Sequence, residues 1–398
     1  MIFDGVLFVL QTRRAINGEQ MRLLHTSDWH IGIKLGTFDY LPSQKEFANW
    51  LLAIVKTEAI DVVLVAGDIF DKPTPSEDSI NLVDEIFVNL LEIGVSVVVI
   101  SGNHDSAERL NFCSRAMENA GLYIRTEQRN LSDIGEPIHL EKNGESVSII
   151  PIPFLDPQRV IEIGEAERSH GGLINEILRV RIKEVEDPSK TVVMSHAFVA
   201  GGSESDSERK ISIGGAARVA TDVYQGFGYV ALGHLHRPQP VGGPNMYYSG
   251  TPLQYSFSEE HPKTVRIIEI SEDVKTREIG IPVGPTVVTL TDSLDNLISD
   301  VKYKSAENHL VRVKLTDSSR RLNAQDRLSS RFANLIFMSY VNDLTGSNFA
   351  GSTNELRRLS PEQIVDQYID AVHPGTVTPE LMTFIKQSVQ VAISGGNQ

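Results

Sequence analysis

Apolar residues recur along this chain at two different spacings. Short continuous blocks rich in β-branched and aliphatic side chains occur at 23–26, 62–66, 95–101, 147–152, 191–195, 229–232 and 246–249. Such blocks predict strands. Between the early blocks the spacing lengthens to that of a helix. Phe47, Trp50, Leu51 and Ile54 predict a helix over 44–57. Ile80, Val83, Ile86, Phe87 and Leu90 predict another over 76–93, with Gly94 as its stop. A shorter helical pattern covers 173–185, and 264–270 alternates like a half-exposed strand. Strands alternating with helices imply a layered α/β domain, here over 21–282.

Ile281-Pro282-Val283-Gly284-Pro285 marks a boundary. A smaller α/β module is expected at 283–345, with strands at 287–290, 310–315 and 336–341 and helices at 293–302 and 324–332. Segment 346–352 is rich in Gly, Ser and Asn and reads as a linker. Ser360-Pro361-Glu362-Gln363 is a capping box with proline at the first helical position. Behind it Ile364, Val365, Tyr368, Ile369 and Val372 form an apolar stripe, which Pro374-Gly375 ends. Thr378-Pro379-Glu380 starts a second helix, with Leu381, Ile385 and Val389 on one face. This terminal pair can pack on its own domain or dock on a partner.

Composition adds limits. Of 398 residues, 41% are hydrophobic and 22% charged, an ordinary globular mixture. The net charge of −15 argues against a protein that simply coats nucleic acid. It does not exclude phosphoester chemistry, because bound cations supply positive charge where a phosphate sits. The single cysteine, Cys113, rules out an internal disulfide and fits a reducing compartment; it is expected to be a small buried apolar side chain. No apolar run reaches the roughly 18 residues of a membrane span. In the first twenty residues Asp4 interrupts an apolar stretch, and Arg13 and Arg14 follow it. That order is wrong for a secretory signal. Met21 is the expected natural start, with 1–20 an upstream extension.

The candidate chemistry lies directly after the strand blocks. Asp28-Trp29-His30, Gly67-Asp68-Ile69-Phe70-Asp71, Gly102-Asn103-His104-Asp105, Ser195-His196 and Gly233-His234-Leu235-His236 all occupy strand ends. Ligands bind at the carboxyl ends of strands in α/β sheets. Five of the eleven histidines fall within these segments. Singly, each has an ordinary reading as a turn, a cap or a buried histidine; five in one chain point to a shared site. Phosphodiesters resist attack because nucleophile and phosphate are both anionic. Two metals about 3.5–4 Å apart overcome this by acidifying water and neutralising phosphate oxygens. Such a site needs a bridging carboxylate, and Asp68 is the natural one. Asp28 and His30 can curl onto one ion, while Asn103, His196, His234 and His236 complete an N/O donor set suited to manganese, iron or zinc. Trp29 is expected to pack. Segment 203–210 reads as a solvated loop, and Arg109 and Arg237 could touch phosphate or form ion pairs.

These motifs resemble those of the calcineurin-like metallophosphoesterases, whose fold is a two-sheet β-sandwich flanked by helices. More narrowly, Met21-Arg22-Leu23-Leu24-His25-Thr26-Ser27-Asp28-Trp29-His30-Ile31-Gly32 is similar to the start of the bacterial SbcD nuclease subunits. Gly102 to Leu110, Gly233 to Gln239 and Tyr248-Ser249-Gly250-Thr251-Pro252-Leu253 also resemble that family. The resemblance implies one ion on Asp28, His30, Asp68 and His236, and a second on Asp68, Asn103, His196 and His234. It places His104 by the leaving oxygen, with Asp71 where many members hold a carboxylate that orients this histidine. It further implies Mn2+ as the ion, DNA exonuclease and endonuclease activity on ends and hairpins in repair and recombination, and an SbcC-type ATPase partner docked on the terminal helices. It also implies a capping role for 283–345, a homodimer within a heterotetramer, and a cytoplasmic, nucleoid-associated location without membrane contact. The competing expectations are a metallophosphoesterase acting on nucleotides, cyclic nucleotides or phosphoproteins, and a non-enzymatic interaction module.

Overall fold

A computed structural model describes residues 20–344 and Ile385, apart from 143, 162–165, 206, 207 and 209–217. The expected upstream extension and the linker with its terminal helices lie outside the described residues, save Gln20 and the single helical position Ile385. The chain divides into two compact units between Val287 and Val288.

The first unit is built on two six-stranded sheets. In chain order its main elements are β1 (Met21–Thr26), α1 (Leu41–Thr57), β2 (Val62–Ala66), α2 (Glu77–Glu92), β3 (Ser96–Ile100), β4 (Leu122–Arg125), β5 (Ile138–Lys142) and β6 (Glu145–Ile152). There follow α3 (His170–Arg181), β7 (Thr191–His196), β8 (Tyr229–Gly233), β9 (Gln239–Pro240), β10 (Met246–Tyr248), β11 (Thr264–Ile270) and β12 (Val274–Gly280). The first sheet runs β12-β11-β1-β2-β3-β4 and the second β9-β10-β8-β7-β6-β5. The central strands of both pair in parallel, β1 to β4 through β2 and β3, and β6 to β10 through β7 and β8.

Strand parity explains the layering. Leu23, Val62, Leu64, Val98 and Ile268 of the first sheet share one buried cluster with Val147, Ile149, Val192, Met194 and Ala231 of the second. The alternate residues Ile150, Ile152, Val193, Val230 and Leu232 pack with Leu173, Ile174, Ile177 and Leu178 of α3. The central strands are thus buried on both faces, which is why their sequences read as unbroken apolar runs. Segment 264–270 departs from its expected half-exposure. It lies between β1 and β12, with Val265, Ile267, Ile268 and Ile270 buried, and Arg266 stacks 3.3 Å above the Tyr247 ring. The polar residue at the middle of the alternation, Arg266, thus answers to a cation–π contact rather than to solvent.

Helix signals act locally as expected. Ser76 caps α2 by accepting from the Ser79 N–H at 3.3 Å, and Ser169 caps α3 from Gly172. Trp29 packs between the rings of Phe47 and Phe87 at 6.2 and 6.1 Å. Cys113 departs from expectation: it is exposed, with a left-handed φ of 59° in a tight loop.

One buried histidine ties the two sheets together next to the site. His25 Nε2–H donates to the Leu232 carbonyl at 3.1 Å, and His25 Nδ1 accepts from the Tyr229 hydroxyl at 3.1 Å. Both contacts suit a neutral ring. Burial lowers its pKa from 6.5 to about 3. A base whose folded pKa is depressed stabilises the fold above its unfolded pKa, and that stability is lost as pH falls below it. Acid should therefore destabilise the chain from about pH 6.5 downward, by on the order of 2 kcal/mol from this group at about pH 4.5. Thermal melts of wild type and His25→Gln check this. A variant whose acid limb is as steep as that of the wild type would show that His25 is not the cause.

The second unit contains a three-stranded sheet of β13 (Val287–Asp292), β14 (Leu310–Leu315) and β15 (Leu335–Tyr340), ordered β13-β14-β15. Its helices α4 (Leu294–Ser299) and α5 (Ala324–Ser329) cover Val311, Val313 and Leu315 with Leu294, Leu297 and Leu328. The helix expected over 293–302 ends at Ser299. Asp300 turns extended there and caps a 3-10 run, Val301–Asn308, by accepting from the Lys302 N–H.

Candidate metal centre

Each motif lies at the end of a strand of the first unit or on the loop that leaves it. After β1 the chain lies alongside the loop after β2. Asp28 N–H donates to Gly67 O, His30 N–H to Asp68 O and Ile31 N–H to Ile69 O, at 2.9–3.0 Å. Four of the candidate ligands adopt positive φ: Asp28 at 52°, His30 at 44°, Asp68 at 52° and His234 at 109°. Such conformations cost roughly 1–3 kcal/mol each and persist where surrounding contacts over-determine them. The motif glycines make room. A Cβ at Gly102 would lie 2.1 Å from Asp68 Oδ1, and one at Gly233 would lie 1.8 Å from the Ala66 carbonyl oxygen. Neither position admits a side chain.

The structure brings all seven candidate ligands together. Asp28, His30, Asp68, His196, His234 and His236 are buried, and Asn103 is half-buried. Asp68 Oδ2 sits 3.6 Å from His30 Nε2 and 3.5 Å from His196 Nε2. One carboxylate oxygen thus lies close to two imidazoles. The His30 ring lies 5.0 Å from that of His236 and 4.7 Å from that of His104. The rings of His196 and His234 are 5.5 Å apart. Donor atoms of Asp28, His30 and His236, of His30, Asp68 and His104, and of Asp28, Asp68 and His196 form three clusters, each within 4.8 Å.

The donor atoms fit divalent cations. Both ring nitrogens of His30 are buried without a hydrogen-bond partner. His196 Nδ1–H donates to the Ala66 carbonyl at 2.9 Å, so its Nε2 bears a lone pair. That lone pair faces Asn103 Oδ1, another acceptor as the amide is placed, at 2.9 Å. Two acceptors in contact call for a cation between or beside them. Burial, reinforced by the neighbouring histidines, holds His30 and His234 well below the usual imidazole range. Burial also lowers His196, against the pull of Asp68. Neutral imidazoles are the form that binds metal. Burial and the Asp68 charge push Asp28 well up from the ordinary carboxylate range, as expected for acids crowded together without a counter-ion. Two carboxylates among seven donors leave a pair of divalent cations with net positive charge, matched to an anionic phosphodiester.

His104 and Asp71 also meet, through an atom that residue type does not specify. His104 Nδ1–H donates to the backbone carbonyl of Asp71 at 2.8 Å. The bond that orients the ring therefore comes from the main chain, in place of the carboxylate that the family pattern implies. It leaves Nε2 free toward the site. Beside Asn103 an open cavity of about 520 Å³ is lined by Pro73, Ser106, Phe154 and Arg159 among others, with room for a substrate.

Further residues brace the site, and of these Gln44 carried no recognisable signal in the sequence. Gln44 on α1 is fully buried. Its Nε2 donates to the carbonyls of Trp29 and His30, and its Oε1 accepts from the Gly32 N–H. Asp105 accepts from the N–H groups of Ile69, Phe70 and Gly102, bracing the Asp68 loop. Glu208, within the segment expected to be a solvated loop, accepts from the His236 N–H at 2.9 Å. Arg109 braces the loop after β2 by donating to Pro73 O and Thr74 Oγ1. Gln44→Leu should cost about 1–3 kcal/mol, because it strips the Gly32 N–H of its acceptor, while the Trp29 and His30 carbonyls keep the Tyr255 hydroxyl and the Ile33 N–H as donors. Chemical denaturation checks this; a change below about 0.5 kcal/mol, the usual surface range, would remove Gln44 from the account.

The family model of the calcineurin-like phosphoesterases matches residues 21–238. A protein of Staphylococcus epidermidis, named as the D subunit of the nuclease SbcCD, is 30% identical over 355 residues, which is 87% of this chain and 92% of the relative. A protein of the same name from Staphylococcus saprophyticus is 28% identical over 385 residues, covering 95% and 100%. Among solved structures, a dimetal phosphatase from Danio rerio is 13% identical with a TM-score of 0.42, covering 66% of this chain and 98% of that one, a likeness too slight to argue from. The chain belongs to the calcineurin-like phosphoesterases and, within them, to the family of the SbcCD nuclease D subunits.

Proposed function

We propose that this chain is a metal-dependent DNA nuclease, hydrolysing phosphodiesters at DNA ends and hairpins in concert with an SbcC-type ATPase. The observation that carries the reading is the placement of Asp68 Oδ2 3.6 Å from His30 Nε2 and 3.5 Å from His196 Nε2, beside ring nitrogens that no protein group satisfies. Asp28, His30, Asp68 and His236 would hold one cation, and Asp68, Asn103, His196 and His234 the other, with Mn2+ as the ion. Bound there, the cations would supply Lewis acidity toward the phosphoryl oxygens and a water acidified toward neutral pH. The chain's own residues do the rest. Asp68 would serve both positions. His104 holds its Nδ1–H on the Asp71 carbonyl and, as the doubly protonated imidazolium, would give its Nε2 proton to the leaving oxygen and be left as the neutral Nδ1–H ring.

Residues 283–345 would act as a cap restricting access for duplex DNA, and 346–398 as the docking segment for the ATPase. A homodimer of this chain within a heterotetramer, associated with the nucleoid, completes the proposal. Among the described residues no helix is long and apolar enough to cross a membrane.

The test is Mn2+-dependent cleavage of end-labelled linear and hairpin DNA by the full chain, alone and with the ATPase. Cleavage supports the reading. Hydrolysis of bis-p-nitrophenyl phosphate without DNA cleavage, even with the partner present, would replace it with a small-substrate phosphodiesterase.

A further inference from the structure

A buried ion pair lies behind one of the candidate ligands. Glu259 and Lys263, in the segment before β11, are 0% and 6% exposed. Taking two charges out of water costs several kcal/mol per ion, and a well-packed apolar pair is often as stable or more so. Fold stability alone therefore gives little reason for this pair.

Its contacts converge on His236. Glu259 Oε1 accepts from His236 Nδ1–H at 3.1 Å. Glu259 Oε2 accepts from Lys263 Nζ at 2.6 Å, from Thr251 Oγ1 at 3.0 Å and from the Tyr255 N–H at 3.3 Å. Lys263 Nζ also donates to the His236 carbonyl at 3.0 Å. The pair therefore grips the ring of His236 through the carboxylate and its main chain through the ammonium. With Nδ1–H committed, Nε2 keeps its lone pair for the cluster with Asp28 and His30.

The other histidines are held differently. His196 and His104 each donate to a backbone carbonyl, Ala66 and Asp71. His234 Nδ1 lies 3.2 Å from Asn103 Oδ1. A carboxylate behind an imidazole fixes its tautomer and makes the opposite nitrogen a stronger donor than a carbonyl does. The two cation positions are therefore unequal by construction.

We propose that Glu259 is a positioning residue that selectively strengthens cation binding at the position formed by Asp28, His30, Asp68 and His236, with Lys263 keeping that carboxylate anchored in the interior. The proposal rests on the two-cation reading above and deepens it.

Titration of the full chain with Mn2+ alone, followed by calorimetry and by electron paramagnetic resonance, tests it without reference to DNA. The wild type should bind two equivalents. In Glu259→Gln one equivalent should weaken about 10–100-fold, as for other orienting partners of metal-bound histidines, while the second stays unchanged. Hydrolysis should recover at high Mn2+. The double variant Glu259→Gln/Lys263→Met removes the stranded ammonium, and its thermal melt reports whether the fold is intact. It should keep the same selective weakening, and it replaces the single variant if that one fails to fold. Equal weakening of both equivalents, or wild-type affinity in the double variant, would overturn the proposal while leaving the two-cation reading standing. Failure of the wild type to bind two equivalents would overturn both.

Discussion

Replacing Asp68 with asparagine should abolish phosphodiester hydrolysis while leaving the fold intact. Asparagine tolerates the left-handed backbone found at this position, φ 52°, and can still accept the His104 N–H that Asp68 Oδ1 takes at 2.8 Å. What it loses is the charge shared between two cation positions. Lewis-acid stabilisation by such ions contributes several kcal/mol, and each ~1.4 kcal/mol is a factor of ten in rate. The expected loss is on the order of 1,000-fold or more. Bound Mn2+ should drop from two equivalents, and the thermal midpoint of the metal-free protein should not fall. The measurement is single-turnover cleavage of a labelled hairpin together with metal analysis. An Asp68→Asn protein within tenfold of wild type would mean that Asp68 does not bridge.

The second large effect belongs to His104. His104→Ala should retain both metal equivalents and lose about 100- to 10,000-fold in DNA cleavage, the range of general acid catalysis. The leaving group provides the discrimination. A sugar alkoxide needs a proton as it departs, whereas p-nitrophenolate leaves without one. Hydrolysis of bis-p-nitrophenyl phosphate should therefore fall far less than DNA cleavage in the same variant. Equal losses on both substrates would assign His104 to phosphate binding. The geometry adds a control at the neighbouring position. The His104 ring is oriented by the main-chain carbonyl of Asp71, so Asp71→Asn should preserve that orienting bond and much of the activity.

The strands and the motifs are legible along the chain because their signals are local. Val62–Ala66 falls where its apolar block places it, since a strand buried on both faces must be apolar throughout, and Leu310–Leu315 falls where its alternation places it, with Arg312 and Lys314 at the less buried positions. β4, β5 and β12 leave weaker traces. β4 alternates buried and half-buried positions, β5 buries only Ile138 and β12 buries none, and all three carry charged side chains. The helix expected over 293–302 stops short because Asp300 caps the next turn, a choice that helical periodicity does not register.

By itself, the sequence determined which donor types stand at the ends of which strands, and with them the family. Short loops leaving central parallel strands have one place to go, so residue type and order suffice. The tertiary structure alone decided how those donors are held. Asp68 lies close to both His30 and His196, Gln44 on α1 clamps the first motif loop, and Glu259 with Lys263 stands behind His236. His25 meets Tyr229 across 204 positions of chain. Such contacts join distant segments and often use backbone carbonyls, which every residue possesses, so no pattern along the chain could encode them.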